Sequence, residues 1–88
     1  MLKEFSRTEL LLGSEAMDKL KNAKVAVFGV GGVGSACCEA LARSGIENLT
    51  LIDGDTISIT NRNRQIIALN STTGMPKAEA MANRIKDI

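Results

Sequence analysis

The sequence predicts an α/β fold: the first βαβ unit of a parallel sheet, preceded by helices. Two observations carry that prediction. Compact apolar runs, Lys24-Val-Ala-Val-Phe-Gly29 and Leu49-Thr-Leu-Ile-Asp53, flank a stretch with helical periodicity. The bend between the first run and that helix is dense in glycine. Two parallel strands joined through a helix form one right-handed crossover unit.

Taken in order, Ser6 to Leu12 reads as a short helix, with Ser6 as N-cap, Glu9 at capping-box spacing and Gly13 as its end. Ser14 to Lys21 reads as a second, capped by Ser14, with Ala16, Met17 and Leu20 on its apolar side. Residues 1–22 are thus expected to be a helical N-terminal segment. The run 24–29 is short, β-branched and aromatic, which suits a strand buried on both faces. Gly34 to Ser44 reads as a helix whose small-residue face is Ala36, Ala40 and Leu41, with Gly45 placed as a C-terminal glycine. Leu49 to Asp53 is a second buried strand. A polar loop, Gly54 to Arg64, and an apolar patch, Ile66-Ile-Ala-Leu69, lead to a final helix, Pro76 to Ile88. Proline suits the first turn of that helix, and Ala80, Met81 and Ile85 fall on its inner side. Two strands with apolar faces need further strands and helices to cover them. Residues 1–88 are therefore expected to be the N-terminal part of a larger, truncated domain.

Composition narrows the function. A chain of 88 residues is at most one small domain, burying roughly 60–65% of the surface its unfolded form exposes. Its net charge of +1 supplies no chain-wide attraction to nucleic acid or membrane. Phe5 and Phe28, its only aromatics, make no base-stacking platform. No run approaches the ~18 apolar residues of a membrane span, and no signal-peptide core is present. Cys37 and Cys38 are adjacent and match no metal-ligand or redox spacing. They read as small helix residues, and a cytoplasmic protein is expected.

The first chemical motif is Gly29-Val-Gly31-Gly32-Val-Gly34. Such a bend lets a phosphate approach the backbone without meeting a Cβ, and helix N-terminal amides favour an anion. A purely structural glycine turn is the alternative. Asp53 ends the second strand, 22 residues beyond Gly31, where a carboxylate can accept hydrogen bonds from ribose hydroxyls. A turn or capping role is the alternative there. NAD and ATP are served equally by these two motifs. Asn61-Arg-Asn-Arg64-Gln65 and Lys77 favour ATP, because attack on an α-phosphate builds negative charge that fixed cations stabilise. Taken singly, each cation also fits a solvated surface.

These stretches, together with Phe5-Ser-Arg7, Asn48-Leu-Thr-Leu-Ile-Asp53-Gly-Asp55 and Gly74-Met-Pro-Lys77, carry a resemblance over nearly the whole chain. The sequence resembles the ubiquitin-activating-enzyme-like superfamily, which includes ThiF, MoeB and HesA, and within it looks most like the tRNA threonylcarbamoyladenosine dehydratases. The resemblance implies a Rossmann-like sheet, a homodimer, and ATP with Mg2+, whose main acidic ligand is expected after residue 88. It implies that Asp53 holds the ribose with Asp55 at the site's edge. Asn61, Arg64 and Gln65 would line the nucleotide pocket, Arg64 and Lys77 would contact phosphates, and Arg7 would reach a partner subunit's site. Gly29, Gly31, Gly32 and Gly34 would form the phosphate loop. The implied activity is carboxylate adenylation acting on tRNA. Adenylation of a ubiquitin-like sulfur carrier is the alternative, and an NAD-binding oxidoreductase domain a distant one. No metal ligand is assigned within these residues.

Overall fold

The computed structural model describes residues 3–88. A 3-10 turn, Lys3–Phe5, runs into α1 (Ser6–Leu12), followed by α2 (Ser14–Asn22), β1 (Lys24–Phe28), α3 (Gly32–Arg43) and β2 (Asn48–Ile52). Two further 3-10 turns, Ile59–Asn63 and Asn70–Thr72, precede α4 (Lys77–Lys86). The strands pair in parallel from Lys24↔Asn48 to Phe28↔Ile52, completing the expected βαβ unit.

The helix ends correct several details. Neither Ser6 nor Ser14 caps its helix: the cap positions are Phe5 and Gly13, without side-chain hydrogen bonds. Ser6 is already helical because the 3-10 turn feeds directly into α1. At Gly13 the backbone does both jobs, its N–H bonding Glu9 O at 2.8 Å and its carbonyl accepting from Met17 N at 3.2 Å. Helix α3 begins at Gly32 rather than Gly34, since Ser35 N already bonds Gly31 O at 3.0 Å. Its buried face is Ser35, Cys38 and Ala42, whereas Ala36 and Ala40 are exposed. The cysteines part accordingly: Cys38 is buried, where burial pushes its thiol pKa up, and Cys37 is exposed. The C-terminal end of α3 follows expectation. Gly45 N bonds Ala42 O and Ile46 N bonds Leu41 O, the paired closure a glycine after the C-cap permits.

The strands are not buried on both faces. Val25, Val27, Leu49 and Leu51 are half-covered, but Ala26 and Phe28 beside Thr50 and Ile52 are open, with Phe28 77% exposed. Side chains alternate across a strand, and α3 and α4 pack against each other on the covered side. Arg84 of α4 donates to Glu39 of α3, which holds that carboxyl below its usual range. The core comprises Val30, Cys38, Ile57, Ile67, Ala68, Ala80 and Met81, bordered by Val27, Leu51, Met75 and Ile85. It lies under the bend and the loop after β2, so the same packing that stabilises the chain fixes both. Among the described residues, no helix is long and apolar enough to cross a membrane.

Candidate functional site

Four glycines shape the bend, and they do different things. Gly29 has φ +90°, a left-handed conformation that a side chain would strain. Gly34 lies so close to the strand tip that a Cβ would stand 1.8 Å from Gly29 O. These two glycines serve the chain itself. At Gly31 a Cβ would meet Gln65 Nε2 at 3.6 Å, and at Gly32 it would meet Arg64 O at 3.7 Å. Both are ordinary contacts, so at these two positions the space is not taken up by the chain's own atoms.

Asp53 stands one residue past β2 and ties three segments together. Its Oδ2 accepts from Val30 N at 2.7 Å and its Oδ1 from Asp55 N at 2.8 Å. Those two hydrogen bonds, Val30 first, hold its carboxyl below the usual range, and the charge of Lys77 adds to them. A pKa depressed in the folded state stabilises the fold above the unfolded value, about 3.9, and that contribution is lost as pH falls through the lower folded value. The thermal midpoint is therefore expected to drop as pH falls below about 4, with the drop reduced in Asp53→Asn. Superimposable pH profiles for the two proteins, measured by circular dichroism, would contradict this.

Lys77 is placed by a short strap. Thr56 bridges Pro76 in antiparallel fashion, Ile57 N bonds Met75 O at 2.8 Å, and Lys77 N bonds Asp55 O at 3.0 Å. Lys77 as a whole residue is only 9% exposed. No described carboxylate lies within 4.0 Å of its ammonium, although it is near enough to Asp53 to lower that group's pKa. A lysine can pack its stem while its charged head stays accessible, and here the packed stem keeps that charge near Asp53 and the bend.

The remaining predicted residues fall less uniformly. Arg64 has its backbone at the bend, but its exposed guanidinium turns back to Asn63 Oδ1 at 2.9 Å and Thr60 O at 3.3 Å. Asn61 is buried and its Oδ1 accepts from Ser58 N at 2.8 Å, closing a capping box on the 59–63 turn. Gln65 is buried against Gly31. Asp55 is exposed at the edge. Arg7 is exposed on α1, which packs mainly on α2, and is not brought to the bend. Sequence reading missed Val30, whose amide locks Asp53, and Asn63, which holds Arg64. A valine amide leaves no side-chain signal, and Asn63 was read only as part of a polar loop. Among the described residues, no three His, Cys, Asp or Glu side chains group to hold a metal.

Comparison with known proteins gives the same picture. The chain is 57% identical over all 88 residues to the tRNA threonylcarbamoyladenosine dehydratase of Bacillus subtilis, covering 35% of that protein. It is 40% identical over 74 residues to the molybdopterin-synthase adenylyltransferase of Salmonella typhimurium, covering 84% of this chain and 30% of that one. The chain thus spans about a third of the length of these relatives. The structure of Escherichia coli tRNA N6-threonylcarbamoyladenosine dehydratase, TcdA, in complex with ATP superposes with a TM-score of 0.94 at 48% identity, over 97% of this chain and 35% of that one. The α/β fold and the resemblance drawn from the motifs are both borne out. With the ThiF family profile matching residues 5–88, the affiliation is plain: the chain belongs to the ThiF family.

Proposed function

We propose that the protein binds ATP at the glycine bend and uses it to adenylate a carboxylate, in the dehydration of threonylcarbamoyladenosine in tRNA. The observation that most supports this is Lys77, a largely buried residue whose charge acts on Asp53 beside the bend. The room over Gly31 and Gly32 fits the approach of phosphates to backbone. The substrate class follows the names of the relatives at 50% identity and above.

In the proposed reaction a carboxylate oxygen attacks the α-phosphorus of ATP. The new O–P bond forms as the bond to the bridging oxygen breaks, and pyrophosphate leaves with the electron pair. A nitrogen of the same nucleoside side chain then attacks the acyl carbon, AMP departs, and the nitrogen's proton passes to solvent as the ring closes. The carboxylate is already ionised and needs no base, so the protein acts by positioning and charge stabilisation. Asp53 holds the ribose, with Asp55 at the edge. Asn61 and Gln65 line the pocket, and Lys77 and a released Arg64 take the phosphates. Arg7 serves the site of a partner subunit in a homodimer. Mg2+ bound with ATP would neutralise part of the phosphate charge; none of the described residues is assigned to hold it. Residues 1–88 form part of the ATP-binding domain of a cytoplasmic enzyme.

Adenylation of a ubiquitin-like sulfur carrier is the second reading, favoured by the similarity to a molybdopterin-synthase adenylyltransferase. Mass spectrometry of tRNA from a strain lacking the gene separates the two. Loss of the cyclic nucleoside is expected; unchanged levels would leave the sulfur-carrier reading in its place.

A further inference from the structure

The chain's net charge of +1 conceals a local imbalance. Between Asp55 and Glu79 the chain carries Arg62, Arg64 and Lys77, and all 10 acidic residues lie outside that stretch. Lys77 is largely buried, whereas Arg62 and Arg64 are exposed, within and just after the 59–63 turn. Among the described residues, no carboxylate lies within 4.0 Å of either guanidinium. Both arginines, with Asn63, Gln65 and Ile66, line one open depression of about 290 Å3. It reaches the bend through Arg64 and Gln65, which lie against Gly32 and Gly31. Arg62 differs from Arg64 in what holds it. Its Nη1 donates to Asn70 Oδ1, on the following 3-10 turn, while Arg64 bonds within its own turn. Asn70 is neutral, so the charge of Arg62 stays uncompensated while its side chain is kept in place. A guanidinium has five N–H donors, and the bond to Asn70 leaves most of them for a ligand.

We propose that Arg62 contacts the phosphate backbone of the RNA and positions it at the mouth of the ATP site. The proposal rests on the tRNA reading above and deepens it by naming a surface. The carboxylate that attacks ATP belongs there to a nucleoside within an RNA chain, so phosphodiesters must pass close to the rim of the bend. Arg62 offers them a fixed positive charge and a planar fork of donors that matches phosphate oxygens. Such a contact sets the register of a nucleic acid without reading its sequence.

The test compares Arg62→Gln and Arg62→Lys with wild type in full-length protein, using purified tRNA that carries threonylcarbamoyladenosine. Losing a phosphate contact removes the release of about one counterion, so Arg62→Gln is expected to lower tRNA affinity about five- to eightfold at about 0.1 M salt. Its plot of log affinity against log salt should be shallower by about one. The difference from wild type should close toward about 1 M salt. Arg62→Lys is expected to keep the wild-type slope, and both variants the wild-type ATP affinity by calorimetry. Wild-type tRNA affinity and slope in Arg62→Gln overturns the proposal. So does an equal loss in Arg62→Lys, the sign that the bond to Asn70 merely fastens two turns, or a matching loss of ATP affinity. Each of these leaves the tRNA reading standing. Wild-type protein that binds no tRNA and instead retains a ubiquitin-like sulfur carrier overturns both.

Discussion

Gly34→Ala is expected to cost about 3 kcal/mol or more of stability, a large share of the 5–15 kcal/mol typical of a whole protein. The methyl would fall 1.8 Å from the carbonyl oxygen of Gly29 and 2.8 Å from its carbon. Both are backbone atoms at the end of β1, so no side chain can swing away, and the helix must lift from the strand. That movement would also disturb Val30, whose amide holds Asp53. Gly32→Ala, two residues earlier, should behave in the opposite way. Its methyl would meet Arg64 O at an ordinary 3.7 Å, and alanine favours a helical position over glycine by roughly 0.5–1 kcal/mol. The fold should therefore keep its stability while ATP affinity drops about tenfold or more, the scale of 1.4 kcal/mol, because the methyl occupies space left for phosphate. Urea denaturation and calorimetry on full-length protein measure both quantities. A Gly34→Ala protein as stable as wild type would refute the assignment of that glycine to helix–strand contact. Unchanged ATP binding by Gly32→Ala would refute the assignment of that space to ligand.

Lys77→Met is expected to slow adenylation by about 10²–10³-fold, read as ATP–pyrophosphate exchange in the presence of substrate. The effect should be large because Lys77 is largely buried and its backbone is held by the Asp55–Ile57 strap, so its charge is positioned before ATP arrives. In the free protein the same substitution keeps an apolar stem and removes a charge that makes no direct ion pair, so the melting temperature should change little. Loss of activity together with retained stability is the pattern expected of a group that serves function rather than the fold. Exchange within threefold of wild type would contradict this role. Arg64 contrasts with Lys77, because its guanidinium must first leave Asn63 and Thr60. Part of its interaction with phosphate is offset by bonds it already has.

What the sequence disclosed, and what it did not, follows from how local each signal is. The β1–α3–β2 unit, the glycine bend and the Gly45 closure were legible because each depends on a few neighbouring residues. The open face of Phe28 and Ile52 was not, since apolar strand residues are written the same way whether or not something covers them. The start of α3 was read two residues late: Gly32 and Gly34 look like loop residues, yet the first helical bond already reaches back to Gly31. The strap that joins Asp55–Ile57 to Met75–Lys77 has no periodicity, being short stretches paired across two 3-10 turns. Arg64 and Lys77 looked equivalent as cations. Only the fold separates a largely buried lysine from an exposed guanidinium bonded to its own turn.

The central claim, carboxylate attack on the α-phosphate, is tested most directly by the fate of oxygen. Full-length protein would be given ATP and tRNA whose threonylcarbamoyl carboxylate carries heavy oxygen. Attack at the α-phosphorus followed by displacement of the adenylate predicts that one labelled oxygen appears in AMP and none in pyrophosphate. Label recovered in inorganic phosphate, with ADP as the nucleotide product, would mean transfer of the γ-phosphoryl group instead and would contradict the account.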